Sequence, residues 1–339
     1  MGFRVESPNL AGDTSWEYDG RMNSANSTLP VRQLGPWQVS AVGLGAMPLS
    51  FANMLDHREQ AIATIHRAMD LGVTLIDTAN IYAPSWDAVG HSEVLVAEAL
   101  ALYSGPADTS RIVVATKGGI IRGKGETWSR DGSASGLKGA CEASMTALGV
   151  TVIDLYQHHR HDSRETYTDQ MRGIAALRDL GWVREVGISN ATLAELEVAL
   201  EVLGGPGSGG VVSVQNEFSP RFRGDREVLD RCTELGIAFL PWSPLGGSDH
   251  AKNLDSQFGE FAIVAAEHSA TAQEITLAWL LKLSPVVIPI PGATKPVTID
   301  SIIHSLSIEL TDSQFERLSA TEPSGETIFP ETEPRSPLR

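Results

Sequence analysis

Four side chains in the first half of the chain have the types needed to move a proton onto a carbonyl oxygen: Asp77, Tyr82, Lys117 and His159. Asp77 ends the apolar run Val73-Thr74-Leu75-Ile76, and Tyr82 follows five residues later. A carboxylate at the end of a buried strand is costly unless a cation answers it. Lys117, in Val113-Val114-Ala115-Thr116-Lys117, supplies that cation. The pair holds an ammonium near Tyr82, which favours the phenolate and predicts a lowered tyrosine pKa. A tyrosine so tuned can protonate a carbonyl oxygen as it becomes an alkoxide. His159, in Tyr156-Gln157-His158-His159, can donate a hydrogen bond to the same oxygen and orient it.

The elements that must bring these groups together follow a repeating pattern. Helices are expected at 58–71, 92–102, 133–148, 166–180, 193–203, 225–235 and 271–283. Each leads, often through a glycine, into a short apolar strand: 73–76, 112–116, 151–156, 183–188, 211–214, 237–240 and 286–289. A hairpin over 31–39 and a first core strand at 40–44 precede them, and helices at 298–306 and 311–319 close the pattern. Strict alternation predicts parallel strands, and eight of them predict an α/β fold closed as a (β/α)8 TIM barrel. An open doubly wound sheet is the alternative, but Gly43-Leu44-Gly45-Ala46-Met47-Pro48 has a proline in place of the third glycine of a dinucleotide fingerprint. The expected organisation is a polar extension over 1–29, one barrel over 30–322 and a tail over 323–339.

In such a barrel the chemistry lies just past the carboxyl ends of the strands. Besides the four residues above, those positions hold Ser189-Asn190, Gln215-Asn216-Glu217, Trp242-Ser243-Pro244-Leu245-Gly246 and Ile290-Pro291-Gly292-Ala293-Thr294-Lys295. The set, in order, resembles the aldo-keto reductase superfamily from about residue 31 to 320. The resemblance implies NADP(H) lying across the barrel mouth and reduction of aldehydes or ketones. It implies a catalytic tetrad of Asp77, Tyr82, Lys117 and His159. It further implies cofactor contacts from Gly45, Ala46, Met47, Asp77, Ser189, Asn190, Gln215, Trp242, Ser243, Leu245 and Gly246, with Trp242 stacked on the nicotinamide. Gly292, Thr294, Lys295 and Thr298 are expected at the adenosine end. There the pattern departs: Thr298, Ser301 and Ile302 stand where an arginine, an acid and an asparagine are usual, which leaves Lys295 as the cation for the 2′-phosphate of NADPH.

The chain has 339 residues, 42% of them hydrophobic, so a large core is possible, and its net charge of −16 disfavours nucleic acid and anionic membrane as partners. The expected partner is a small carbonyl or alcohol substrate. An aromatic-lined mouth in an acidic surround suits neutral or cationic substrates, and the protein is expected to be a monomer or homo-oligomer. The two cysteines, Cys141 and Cys232, fall in helical patterns, which points to a reducing, cytoplasmic setting without disulfides. No secretory leader is expected at the start, where Met22 offers an alternative initiator.

Several features have plainer readings. His158, His159 and His161 alternate in facing, so a metal is not expected. The run 204–210 enters a strand rather than a helix and reads as a loop on the far face, not a phosphate cradle. Trp86, with Tyr82 and His159, is assigned to the substrate pocket, against surface packing as the alternative. Within the same class, a dehydrogenase of a sugar or pyridoxine-like alcohol is the competing activity. From another class, a catalytically weak, cofactor-binding regulatory subunit competes.

Overall fold

The computed structural model describes residues 29–339. The extension expected over 1–29 therefore lies outside the described residues, except for Leu29, whose side chain packs against the main core.

Seven strands form one all-parallel sheet in spatial sequence: β1 (Leu44–Gly45), β2 (Leu75–Asp77), β3 (Val113–Gly118), β4 (Ile153–His158), β5 (Val183–Ser189), β6 (Val211–Gln215) and β7 (Ala238–Phe239). The expected eighth strand is too irregular to form a continuous ladder, because Pro289 and Pro291 lack the N–H that a ladder needs. Its segment 286–292 still closes the ring. The Ile288 N–H donates to the Phe239 carbonyl at 2.8 Å, and the Pro289 and Pro291 carbonyls accept from Gly43 at 2.9 Å and Gly45 at 3.0 Å. Gly45 and Gly292 face each other in this seam; a Cβ on Gly45 would lie 2.7 Å from the Ile290 carbonyl oxygen.

The hairpin forms as expected, with Val31–Leu34 paired antiparallel to Trp37–Ser40 around Gly35-Pro36. Gly35 has φ +55°, the positive value that a two-residue turn with glycine first requires. Its Leu34 and Val39 plug the barrel floor, buried with Leu75, Val113, Ala115, Leu155, Val212, Leu240 and Ile288. Ser40 thus belongs to the hairpin, and the first barrel strand is displaced to Leu44–Gly45.

Helices α1 (Arg58–Asp70), α2 (His91–Leu102), α3 (Ala134–Leu148), α4 (Tyr167–Asp179), α5 (Leu193–Leu203) and α6 (Arg226–Leu235) wrap the sheet. Between β7 and the last segment, three short helices, α7 (Ser248–Ala251), α8 (Leu254–Gln257) and α9 (Gly259–His268), precede α10 (Ala272–Leu283). Helices α11 (Pro296–His304) and α12 (Asp312–Ser319) follow. Their starts are written locally: Thr192 with Glu195, Thr271 with Glu274 and Thr311 with Gln314 each close a reciprocal capping box. Glycine in left-handed conformation ends α3 at Gly149 and α6 at Gly236. Cys141 and Cys232 are buried as free thiols on α3 and α6, and burial pushes both up to about 12. The 204–210 loop sits on the face opposite the strand ends, fixed by the Arg178 guanidinium donating to the carbonyls of Leu203 and Gly209.

Three features escaped the sequence pattern, the first being helices α7–α9 between β7 and α10. A second hairpin, Ile120–Gly123 with Thr127–Arg130, stands at the mouth beyond β3. Residues 323–339 then return across the same mouth: Ile328 donates to Glu217, Arg160 donates to the Phe329 carbonyl, and the Pro337 carbonyl accepts from Tyr167.

Candidate active site

Asp77 and Lys117 are the terminal or near-terminal residues of β2 and β3, one residue further inside their strands than the periodicity indicated. Adjacent parallel strands bring their side chains together, and the Lys117 Nζ donates to Asp77 Oδ2 at 2.7 Å. Both are buried, at 0% and 4% side-chain exposure, so neither charge is stable there without the other. The Thr78 carbonyl accepts a second bond from Nζ at 2.7 Å. Gln215 donates to the free Asp77 Oδ1 at 2.8 Å.

The ammonium's third direction is the Tyr82 hydroxyl, 3.4 Å away. His159, just past β4, meets the Tyr82 ring edge-on with centroids 5.9 Å apart. The four residues expected to do chemistry therefore share one pocket. Their protonation differs from the sequence expectation in one respect. Burial raises the Tyr82 phenol above its ordinary value, although the ring keeps some solvent exposure; Lys117 opposes this but does not overcome it. The expected lowering is thus corrected for the free site: desolvation of the phenolate outweighs one ammonium already shared with Asp77. Lys117 itself is raised: burial works against its charge, but Asp77 and Tyr82 outweigh it. His159 is held well below its usual value by burial and then by the charges of Lys117 and Arg160. A protonated phenol, a neutral imidazole and a charged ammonium coexist, which is the combination a proton donor to a carbonyl requires. The buried His159 Nδ1 has no protein partner.

The other expected contacts line the same mouth. Ser189 donates to the Gln215 carbonyl at 2.7 Å, and Asn190 donates to the His159 carbonyl at 3.0 Å. The Trp242 indole N–H reaches Asn190 Oδ1 at 3.2 Å. Asn190 and Ser243 hold φ of +55° and +47°, a conformation that costs non-glycine residues and clusters at functional sites. Leu245 is half-buried, and Gly246 turns with φ +82°. Ala46 is buried and donates its N–H to the Asp77 carbonyl, while Met47 opens a short turn with Pro48. Trp86 is 36% exposed, and its backbone N–H donates to the Glu126 carboxylate in the turn of the mouth hairpin, which sets it at the rim of the mouth.

At the far end, Lys295 and Thr298 are exposed at the start of α11, and Thr294 gives its carbonyl to Gln60. Ile302 is buried in the core, and Ser301 donates to Glu274. Lys295 has no carboxylate within 4 Å among the described residues.

Sequence reasoning placed Glu217 at a strand end but missed Arg160 and the tail segment that the two hold. Phe329 from that segment lies 5.8 Å from the Trp242 ring, and Ile328 crowds Gly247. The available signal was the apolar pair Ile328-Phe329, with Leu338, in a tail otherwise rich in proline and polar residues.

Comparison with known proteins agrees with this geometry. The model of the Aldo/keto reductase family matches residues 41–322. An uncharacterized oxidoreductase of Schizosaccharomyces pombe is 34% identical over 84% of this chain and 88% of its own. A probable aldo-keto reductase 1 of Glycine max is 28% identical over 86% of this chain and 87% of its own. Among solved structures, the glycerol dehydrogenase AKR11B4 of Gluconobacter oxydans superposes with a TM-score of 0.73 at 22% identity, covering 88% of this chain and 99% of that one. An aldo/keto reductase of Klebsiella pneumoniae in complex with NADP and acetate gives 0.72 at 21%, covering 88% and 98%. A closed parallel barrel, an acid–lysine–tyrosine–histidine cluster at its mouth and a family match over most of the chain lead to one conclusion: this chain belongs to the aldo/keto reductase family.

Proposed function

We propose that the protein is an NADPH-dependent carbonyl reductase in which Tyr82 protonates the oxygen of an aldehyde or ketone. The observation that carries this reading is the Tyr82 hydroxyl set between the Lys117 ammonium at 3.4 Å and a neutral His159. NADPH held beside Trp242 would supply the hydride that the carbonyl carbon needs. Tyr82 gives its proton to the oxygen, Lys117 stabilises the phenolate left behind, and Asp77 fixes the ammonium. His159 orients the carbonyl by a hydrogen bond. In the reverse direction the same groups accept the proton of an alcohol.

The residues present fit a nicotinamide dinucleotide. Trp242 offers a partly exposed indole face, Ser189, Asn190 and Gln215 cluster beside it, and Lys295 stands exposed at the α11 start, where a phosphate is favoured by both charge and helix dipole. Support for NADPH also comes from the Klebsiella pneumoniae structures, which hold NADP or NADPH. A polyol or sugar dehydrogenase is the second reading, favoured by the glycerol dehydrogenase among the structural neighbours. The complete tetrad speaks against a regulatory subunit. Free buried thiols at Cys141 and Cys232 suit a reducing setting and support a cytoplasmic location.

The test is NADPH oxidation with 4-nitrobenzaldehyde. Tyr82→Phe is expected to lower turnover by about 10²–10⁴-fold, the usual contribution of a positioned acid, with NADPH still bound. Undiminished turnover in that variant refutes the mechanism.

A further inference from the structure

The mouth carries an anion cradle that the reduction chemistry does not use. Arg130, at the end of the second hairpin, and Arg160, next to His159, are 7% and 13% exposed in their side chains. Both converge on the carboxylate of Glu331 in the returning tail: Arg160 at 3.3 Å, and Arg130 in close contact. His161 Nδ1 lies 3.5 Å from the same carboxylate. Among the described residues, every carboxylate within 4 Å of Arg130 or Arg160 belongs to the tail, Glu331 for both and Glu333 at 3.9 Å for Arg130. Withdrawing the tail would therefore leave two neighbouring guanidinium groups without a carboxylate partner, a positive site suited to another anion.

The cradle adjoins the reacting groups. Arg160 follows His159 directly and also holds the Phe329 carbonyl at 3.0 Å, while the Phe329 ring lies tilted beside Trp242 with centroids 5.8 Å apart. Its charge reaches both Tyr82 and His159: at the phenol it works with Lys117 against the upward push of burial, and at the imidazole it adds to the downward one. Guanidinium groups grip carboxylates through paired, directional hydrogen bonds, so such a site reads geometry as well as charge. The overall charge of −16 pointed to neutral or cationic substrates. The local field at the mouth is different, because the acids that neutralise these arginines, Glu331 and Glu333, belong to the returning tail and not to the barrel.

Resting on the carbonyl-reductase reading above, we propose that Arg160, supported by Arg130, is the specificity-determining residue of this enzyme and selects carbonyl substrates that carry a carboxylate. Glu331 holds that position in the free protein as a built-in stand-in, and the substrate carboxylate displaces it.

Matched pairs test this: 4-carboxybenzaldehyde against methyl 4-formylbenzoate, and the 3-carboxy pair, each read as the ratio of kcat/KM for acid over ester. The wild type is expected to favour the acid at least tenfold in one pair. Arg160→Ala is expected to bring that ratio to about one, and Glu331→Gln to raise it severalfold by removing the competitor. A wild-type ratio of one or less in both pairs overturns the proposal. So does an Arg160→Ala ratio equal to wild type, the result expected if Arg160 only fastens the tail. Loss of turnover on every aldehyde, esters included, would instead count against carbonyl reduction itself. In that event calorimetric titration of acid and ester into NADPH-loaded protein reads the same preference: tighter binding of the acid, abolished in Arg160→Ala, supports the cradle, and equal binding refutes it.

Discussion

Asp77→Asn isolates the energetics of the site. The side chain keeps its shape and one acceptor oxygen, so Gln215 retains a partner for its 2.8 Å hydrogen bond. What disappears is the only carboxylate within 4 Å of the Lys117 ammonium among the described residues, in a position where the lysine side chain has 0% exposure. Breaking one half of a buried pair leaves a stranded charge and costs about 3–5 kcal/mol. For a chain of this size that corresponds to a fall in Tm of roughly 4–7 °C. The pH dependence has a definite sign. Lys117 is raised in the folded state, so its contribution is complete below the unfolded value and is lost only as pH rises through the folded one, well above neutrality. The full cost should therefore appear at pH 7. Adding Lys117→Met to Asp77→Asn removes the stranded charge, and the double variant should recover a large part of the loss. Thermal and urea unfolding of the wild type, both single variants and the double variant provide the cycle. An Asp77→Asn protein within about 1 kcal/mol of wild type, or a double variant less stable than Asp77→Asn, refutes the reasoning.

Lys295→Ala should weaken NADPH binding by roughly one to two orders of magnitude, the worth of a charge-assisted hydrogen bond of about 1.5–3 kcal/mol, and barely change NADH binding; equal weakening of both in fluorescence titrations would remove Lys295 as the phosphate ligand. Because His159 is held neutral well below 6.5 and Tyr82 is raised above 10.0, kcat/KM for reduction should stay flat from about pH 6 to 9, and a limb centred near the ordinary histidine value would contradict the neutral imidazole. Asp225 is pushed up to about 6 by burial, so the folded state holds its proton more tightly and stability falls as pH rises through the window from about 3.9 to 6. Asp225→Asn should stabilise on the order of 1 kcal/mol in urea melts at pH 8 and not at pH 4; an equal gain at both would show that charge is not the cause.

The barrel was legible because its signals are local. Helical periodicity, glycine caps such as Gly149 and Gly236, and runs of β-branched residues each act within a few positions, and together they ordered strands and helices correctly. The tetrad was legible for the same reason: in a parallel barrel, the end of each strand is a known address. Strand ends were read one or two residues early because Asp77, Lys117 and His158 are polar yet lie within β2, β3 and β4, where charge pairing or burial overrides the usual preference. The tyrosine pKa was misjudged because sequence shows which charges are near but not how dry the pocket is. The tail contacts were illegible for another reason. Glu217 with Ile328, Arg160 with Glu331 and Gln170 with Ser336 join residues more than one hundred positions apart, and no period in the sequence records such a pairing.

The seam between Gly45 and Gly292 has a consequence for how the chain is made. The first strand of the ring waits for a partner synthesised about 250 residues later. At about 5–20 residues per second, an emerging barrel keeps one open edge for roughly 10–50 s on the ribosome. An exposed strand edge invites pairing with a neighbouring nascent chain, and short strands are the usual protection. β1 is two residues long, and the segment that completes the ring carries Pro289 and Pro291. Each proline is one donor fewer with which a wrong chain could zip up. The irregularity that keeps the last segment from forming a regular strand thus also makes it a poor template for aggregation during synthesis.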